Sequence, residues 1–287
     1  MQTRIILRGL LFGCVVWWCD SANHFASAQE LEGEAGIAEE FAAELEEEFE
    51  EEEEEDELES DRDSFTRSPR LMAPCRTMVE VSYTFLDQNA ENEGHLYPDL
   101  LVRHGVNDLL ELRLGWTYEF AKFDQLAPPG ADPVEEGLIN YGAKICVTEG
   151  CGRVPDSALI VTAFTPTSGE SNDTDVSLLY VFGWKPGEWE VDGQVQAFWL
   201  VEEEDHFMEW APSVVVKRRV LCGRANVHVE YFSLHSANRE EEYSQHYFGP
   251  GAHYLLTPNF EIGARVFWGL SDDAAEFISN VGFAARY

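Results

Sequence analysis

"LLELRLGWTYEF", residues 109–120, alternates apolar and polar side chains along its length. Leu110, Leu112, Leu114, Trp116, Tyr118 and Phe120 fall on one face of an extended strand, and Glu111, Arg113, Gly115, Thr117 and Glu119 on the other. Successive strand residues point to opposite sides, so this is a ribbon with one apolar and one polar face. Alternation alone does not say which face looks inward. Length and aromatic placement do. Strands of soluble sandwiches are usually about five or six residues long, whereas a tilted strand crossing a bilayer needs roughly ten, with aromatics near its ends.

The same pattern recurs along the chain. In "EWEVDGQVQAFWL" (188–200), Trp189, Val191, Val195, Ala197 and Trp199 oppose Glu190, Asp192, Gln194 and Gln196. In "GRANVHVEYF" (223–232), Ala225, Val227, Val229 and Tyr231 oppose Arg224, Asn226, His228 and Glu230. In "NFEIGARVFWG" (259–269), Phe260, Ile262, Ala264, Val266 and Trp268 oppose Glu261, Gly263, Arg265 and Phe267. The terminal "FISNVGFAARY" (277–287) sets Val281, Phe283, Ala285 and Tyr287 against Asn280, Gly282, Ala284 and Arg286.

About twelve such runs are predicted, near 78–86, 99–106, 109–122, 138–147, 157–165, 175–184, 188–200, 207–217, 220–232, 245–256, 259–269 and 276–287. Short connections such as "ND" and "TPN" follow even strands, and longer acidic ones such as "DQNAENEGHLYP" and "DQLAPPGADPVEEG" follow most odd ones. That is the rhythm of an even-stranded barrel with both ends in the periplasm. The connection at 148–156 is longer than this rule wants. The fold expected is all-β, an antiparallel up-and-down transmembrane β-barrel of about twelve strands.

What precedes the barrel differs in kind. Residues 1–28 carry Arg4 and Arg8, an apolar run from Gly9 to Trp18, and "ASA" before Gln29. This reads as a secretory signal cleaved near Ala28, with an uncleaved anchor as the alternative. Residues 29–63 form an acidic low-complexity leader with 20 acidic residues against Arg62, which supplies −19 of the formal charge of −35. Like-charge repulsion predicts a disordered or partly helical segment. Residues 64–77, with Pro69 and Pro74, read as a linker, and 78–287 as the barrel. No basic face remains for phosphates, which argues against nucleic acid as a partner.

With strands placed, "VRHGVNDLLELRLGWTY", "GAKICV", "PDSALIVTAFTPTSG", "ANVHVEYF" and "HYLLTPNFEIGARVFWGLSDDAAEF" follow in order between residues 102 and 277. Together with the terminal aromatic they resemble the outer-membrane β-barrel family named for the meta-pathway of phenol degradation. The resemblance covers roughly Tyr97 to Tyr287 and implies a fold and a transporter-like role, with no catalytic set to carry over. The acidic leader, the four cysteines of the mature chain and a terminal Tyr in place of Phe depart from the family pattern.

The expected function is therefore an outer-membrane channel or transporter for small solutes, aromatic or apolar ones among them. The rival readings are a non-transporting structural or adhesive barrel and a secreted soluble β protein. No enzyme activity, metal or cofactor is expected. The predicted partners are outer-membrane lipid, the barrel-assembly machinery and an unidentified small solute. Lumen-facing candidates are Glu111, Arg113, Glu119, Lys144, Glu190, Asp192, Glu209, Lys217, Arg224, His228, Glu230, Glu261 and Arg265. They suit either a selective pore or an interior plugged by paired charges. Lipid-facing aromatics are Trp116, Tyr118, Trp189, Trp199, Tyr231, Trp268, Phe283 and Tyr287. Cys75, Cys146, Cys151 and Cys222 are disulfide candidates, with Cys146–Cys151 and Cys75–Cys222 the expected pairing among three possible connectivities.

Overall fold

The computed structural model describes residues 58–62, 64–89, 92–121, 134–169, 173–202, 205–237 and 242–287. The signal segment and most of the acidic leader lie outside the described residues. The strands are β1 (Thr77–Asn89), β2 (Asn92–Asn107), β3 (Leu110–Ala121), β4 (Val134–Thr148), β5 (Asp156–Ser168) and β6 (Asp175–Trp184). They continue as β7 (Trp189–Glu202), β8 (Asp205–Val220), β9 (Ala225–Ala237), β10 (Ser244–Thr257), β11 (Phe260–Gly269) and β12 (Phe277–Arg286). Each pairs antiparallel with its sequence neighbours, and β1 pairs with β12 to close the barrel. Closure leaves no sheet edge, so every strand finds ladder partners on both sides.

The twelve predicted runs correspond to these twelve strands. The boundaries differ mainly at the end opposite the chain termini. There β1 and β2 extend to Asn89 and Asn92, and β7 and β8 to Glu202 and Asp205, so acidic stretches read as loops are ladder. Hydrophobic alternation marks a strand only where one face meets an apolar medium. Beyond that belt the backbone pairing continues and the pattern stops reporting it. The long connection after β4 is folded by an antiparallel bridge between Cys151 and Val154.

The barrel is inside-out relative to a soluble one. Leu112, Leu114, Trp116, Val161, Tyr180, Val229, Ile262 and Phe283 are exposed, while Glu80, Arg103, Glu111, Lys144, Asp192, Glu230 and Glu261 are buried. Apolar side chains outside and paired charges inside are what a lipid solvent selects. Trp184 and Trp189 flank the turn at one end of the wall, and Trp199, Trp210 and Trp268 lie towards the other. The guanidinium of Arg218 sits 5.1 Å from the Trp189 ring, an interfacial cation–π pair.

No disulfide joins Cys75, Cys146, Cys151 and Cys222, contrary to the pairing expected above. Cys75 lies at the foot of β1 and Cys222 in the turn between β8 and β9. Going round the ring through β12, β11 and β10, that is four strand spacings of ~4.8 Å. A disulfide needs Cα atoms within about 7 Å. Cys146 is committed to the β4–β5 ladder opposite Ala158, while Cys151 sits in the turn beyond it.

Candidate functional site

The interior of the barrel is occupied by its own chain. Leu58 and Met72 both pack with Met78 at the start of β1, while Phe65, between them, stacks on Phe232 partway up β9. The segment before β1 therefore enters the lumen from the end where the strands begin and finish, turns near Phe65, and returns to that end. Of the residues read from sequence as a linker, 64–73, together with the last residues of the leader, are thus part of the barrel's interior, while Pro74, Cys75 and Arg76 are exposed at its end. Asp61, Ser64, Thr66 and Ser68 are at most 1 % exposed.

Two charge clusters hold this segment. On the wall formed by β1 to β4, Arg103 bonds Glu111 through two nitrogens at 2.9 and 3.0 Å and Glu80 at 3.2 Å. Arg113 reaches Glu111 at 2.8 Å. Arg103, Arg113 and buried Lys144 outnumber Glu80 and Glu111 by one formal charge, and Asp61 of the segment supplies the missing carboxylate, 2.6 Å from Arg113. Lys144 also bonds the carbonyl of Arg70. Arg62, higher in the segment, pairs with Asp99.

Across the lumen, Lys217 lies 3.2 Å from Glu190 and 3.3 Å from Asp192. With Lys185, 3.8 Å from Glu190, these wall charges are neutral, and the segment adds one charge of each sign. Glu59 meets Lys185 at 2.9 Å, and Arg70 meets Glu190 at 2.9 Å and Glu59 at 2.6 Å. Isolated ions in such a space would be too costly to bury, so the plug and the wall each complete the other's pairing.

The plug's main chain is satisfied by wall side chains rather than by a ladder. Glu230 accepts the amides of Phe65 at 2.9 Å and Thr66 at 2.6 Å. Gln194 accepts the amide of Arg67 at 2.8 Å and donates to the carbonyl of Phe65 at 3.2 Å. Glu80 accepts the amide of Asp61 and Glu111 that of Met72, both at 2.9 Å. Buried backbone groups need partners, and this irregular segment finds further ones on its own side chains: the amide of Ser68 donates to Asp61 at 3.1 Å and that of Arg70 to the Ser68 hydroxyl at 3.2 Å. Gly105 on β2 leaves room for the descending limb: a Cβ there would lie 2.1 Å from the carbonyl oxygen of Ala73.

Of the predicted lumen residues, Glu111, Arg113, Lys144, Glu190, Asp192, Lys217, His228, Glu230 and Glu261 are buried, and Glu119, Glu209 and Arg265 are half-buried. Glu209 accepts a hydrogen bond from Tyr243, and His228 faces His253 at 6.3 Å between ring centroids. Arg224 is a correction. It lies exposed in the β8–β9 turn, where Leu221, Cys222 and Gly223 adopt left-handed φ values of 54°, 57° and 81°, so β9 begins only at Ala225. Of the predicted lipid-facing aromatics, Trp116, Trp189, Trp199, Tyr231, Trp268, Phe283 and Tyr287 are exposed. Tyr118 is half-buried and donates to Glu135.

The sequence reading missed Glu80, Arg103, Ser213, whose hydroxyl meets that of Thr66 at 2.7 Å, and the plug residues themselves. Glu80 had a usable signal, since Met78, Glu80, Ser82 and Thr84 share one face of "MVEVSYTF". Arg103 shares its face with Leu101 and Gly105, which hides it. The plug has no period to read.

Residues 80–287 match the family described as "Putative MetA-pathway of phenol degradation". The chain belongs to this family. The match begins inside β1, so the plug precedes the family's matched region. Among solved structures, an outer membrane channel from Pseudomonas putida F1 superposes with a TM-score of 0.58 at 11% identity, over 77% of this chain and 98% of that one. The NanC porin gives a TM-score of 0.50 at 8% identity, over 72% and 98%. At such identities the likeness is one of fold. No curated protein sequence is significantly similar to the chain.

Proposed function

We propose that this family member is an outer-membrane passage for small solutes whose lumen is held shut, in the conformation described, by residues 58–73. The observation that carries the proposal is the chemistry of the seat. The plug is held by ion pairs and by side chains gripping its backbone. Contacts of that kind can be exchanged for water one by one, so the segment can leave without dismantling the ladder. The family description points to aromatic compounds as the solute class, and the neighbour from Pseudomonas putida is itself a channel.

The test is conductance in planar bilayers of the full chain and of a chain lacking residues 58–72. The full chain is expected to be nearly silent and the deletion to conduct, provided heat-modifiable gel migration shows that both barrels are closed. A folded but silent deletion would overturn the passage reading. It would favour the second one, a structural barrel, to which the buried ion pairs of the interior lend support.

A further inference from the structure

The apex of the plug does something the charge clusters do not explain. Phe65 lies face to face on Phe232, with ring centroids 4.2 Å apart and planes inclined by 11°. The other face of Phe232 stacks on Tyr247 at 4.7 Å, and the edge of Phe267 meets it at 5.0 Å and 88°. Leu86, Leu234 and Ile278 surround the group, and Ala274 and Ala275 fold inward from the β11–β12 connection beside it. The hydroxyl of Tyr247 accepts the amide of Ala275 at 3.0 Å, which fixes that infolding. Apart from the charge clusters, the wall has built here an apolar slot of stacked rings with one flat open face.

We propose that this slot on Phe232 is the binding site of a planar aromatic solute, and that the Phe65 ring occupies it in the solute's absence. Solute and plug apex then compete for one surface. Phe232, Tyr247 and Phe267 are at most 4 % exposed, whereas Phe65 keeps part of its surface open. The open side is where a competitor would begin to insert. When the ring of Phe65 is displaced, the amides of Phe65 and Thr66 are drawn from Glu230, because the ring and those bonds belong to the same two residues. Cargo binding and loosening of the plug become one event, with the differential affinity for the two plug positions supplied by the stack itself. A tethered ring is present at an effective concentration of roughly millimolar, which sets the scale of solute needed to displace it.

This inference rests on the passage reading for its cargo but is tested separately from it. Hydrogen–deuterium exchange of the full chain in detergent is followed at Phe65 and Thr66 while toluene is raised through the millimolar range. Methylcyclohexane, of similar size but without a ring face, serves as the control for detergent partitioning. Toluene is expected to speed exchange at these amides several-fold, with methylcyclohexane much weaker. In Phe65→Leu, which keeps apolar bulk but loses the stack, the toluene concentration for half the effect should fall roughly 2- to 10-fold. Unchanged exchange at Phe65 and Thr66, or equal action of the two hydrocarbons, overturns the slot. A solute-responsive apex in a barrel that never conducts would leave the slot standing and remove the passage. Conduction without that response would do the reverse.

Discussion

Asp61 and Arg113 meet at 2.6 Å inside the barrel, with the carboxylate fully buried. One belongs to the segment before the first strand and the other to the first, turn-side third of β3. Asp61→Asn leaves Arg103, Arg113 and Lys144 with one carboxylate too few. Removing one partner of a buried pair typically costs about 3–5 kcal/mol. The barrel ladder is untouched, so the loss should fall on the plug's seat. The expected result is a heat-modifiable barrel whose segment 58–76 is cut faster by protease and whose conductance rises.

Glu230→Gln tests the grip on the main chain. A carboxylate offers both oxygens to the amides of Phe65 and Thr66, whereas the amide side chain replaces one acceptor with a donor. Hydrogen bonds to charged groups contribute about 1.5–3 kcal/mol. Exchange at these amides should accelerate at least roughly 10-fold. No change would show that the apex is held elsewhere.

Gly105→Ala probes the descending limb without altering any charge. Its Cβ would fall 2.1 Å from the Ala73 carbonyl oxygen and 2.5 Å from that of Met72. Either the limb or the end of β2 must move. Since β2 is anchored on both sides by ladders, the limb is expected to yield, giving more frequent brief openings in single-channel records.

The stretches around the strand ends away from the termini are rich in Asp and Glu, "NREEEYS" and "DPVEEG" among them. Cations should accumulate at that mouth and anions be repelled, and the bias should fade as salt shortens the Debye length from ~30 Å at 0.01 M to ~10 Å at 0.1 M. Reversal potentials of an open variant under a salt gradient measure this. Anion preference at low salt would contradict it.

Peptide mapping under non-reducing conditions should recover no peptide pair linked through Cys75 and Cys222, and a maleimide should label exposed Cys151 and Cys222 ahead of half-buried Cys146.

The barrel wall was legible because lipid on one side and charge on the other write a period of two into each strand. Glu111 and Arg113 could be placed inside from "ELRLG" alone. Legibility failed wherever one side of that contrast was lost. Glu93 and His95 lie on strand beyond the apolar belt, so their stretch read as loop. The plug failed for a different reason. "LESDRDSFTRSPRLMAP" is polar and interrupted by proline, and its structure is dictated by partners far away in the chain: Phe65 finds Glu230 across 165 residues. A segment shaped by the cavity around it carries no local pattern of its own.

That the wall grips backbone amides at Asp61, Phe65, Thr66, Arg67 and Met72 sets how these sequences can drift. An amide is common to every residue but proline. Substitutions at Thr66 or Met72 can therefore leave the grip intact, while the wall side chains that do the gripping, Glu80, Glu111, Gln194 and Glu230, have no such latitude. Divergence in related chains should accumulate in the guest and be resisted by the host.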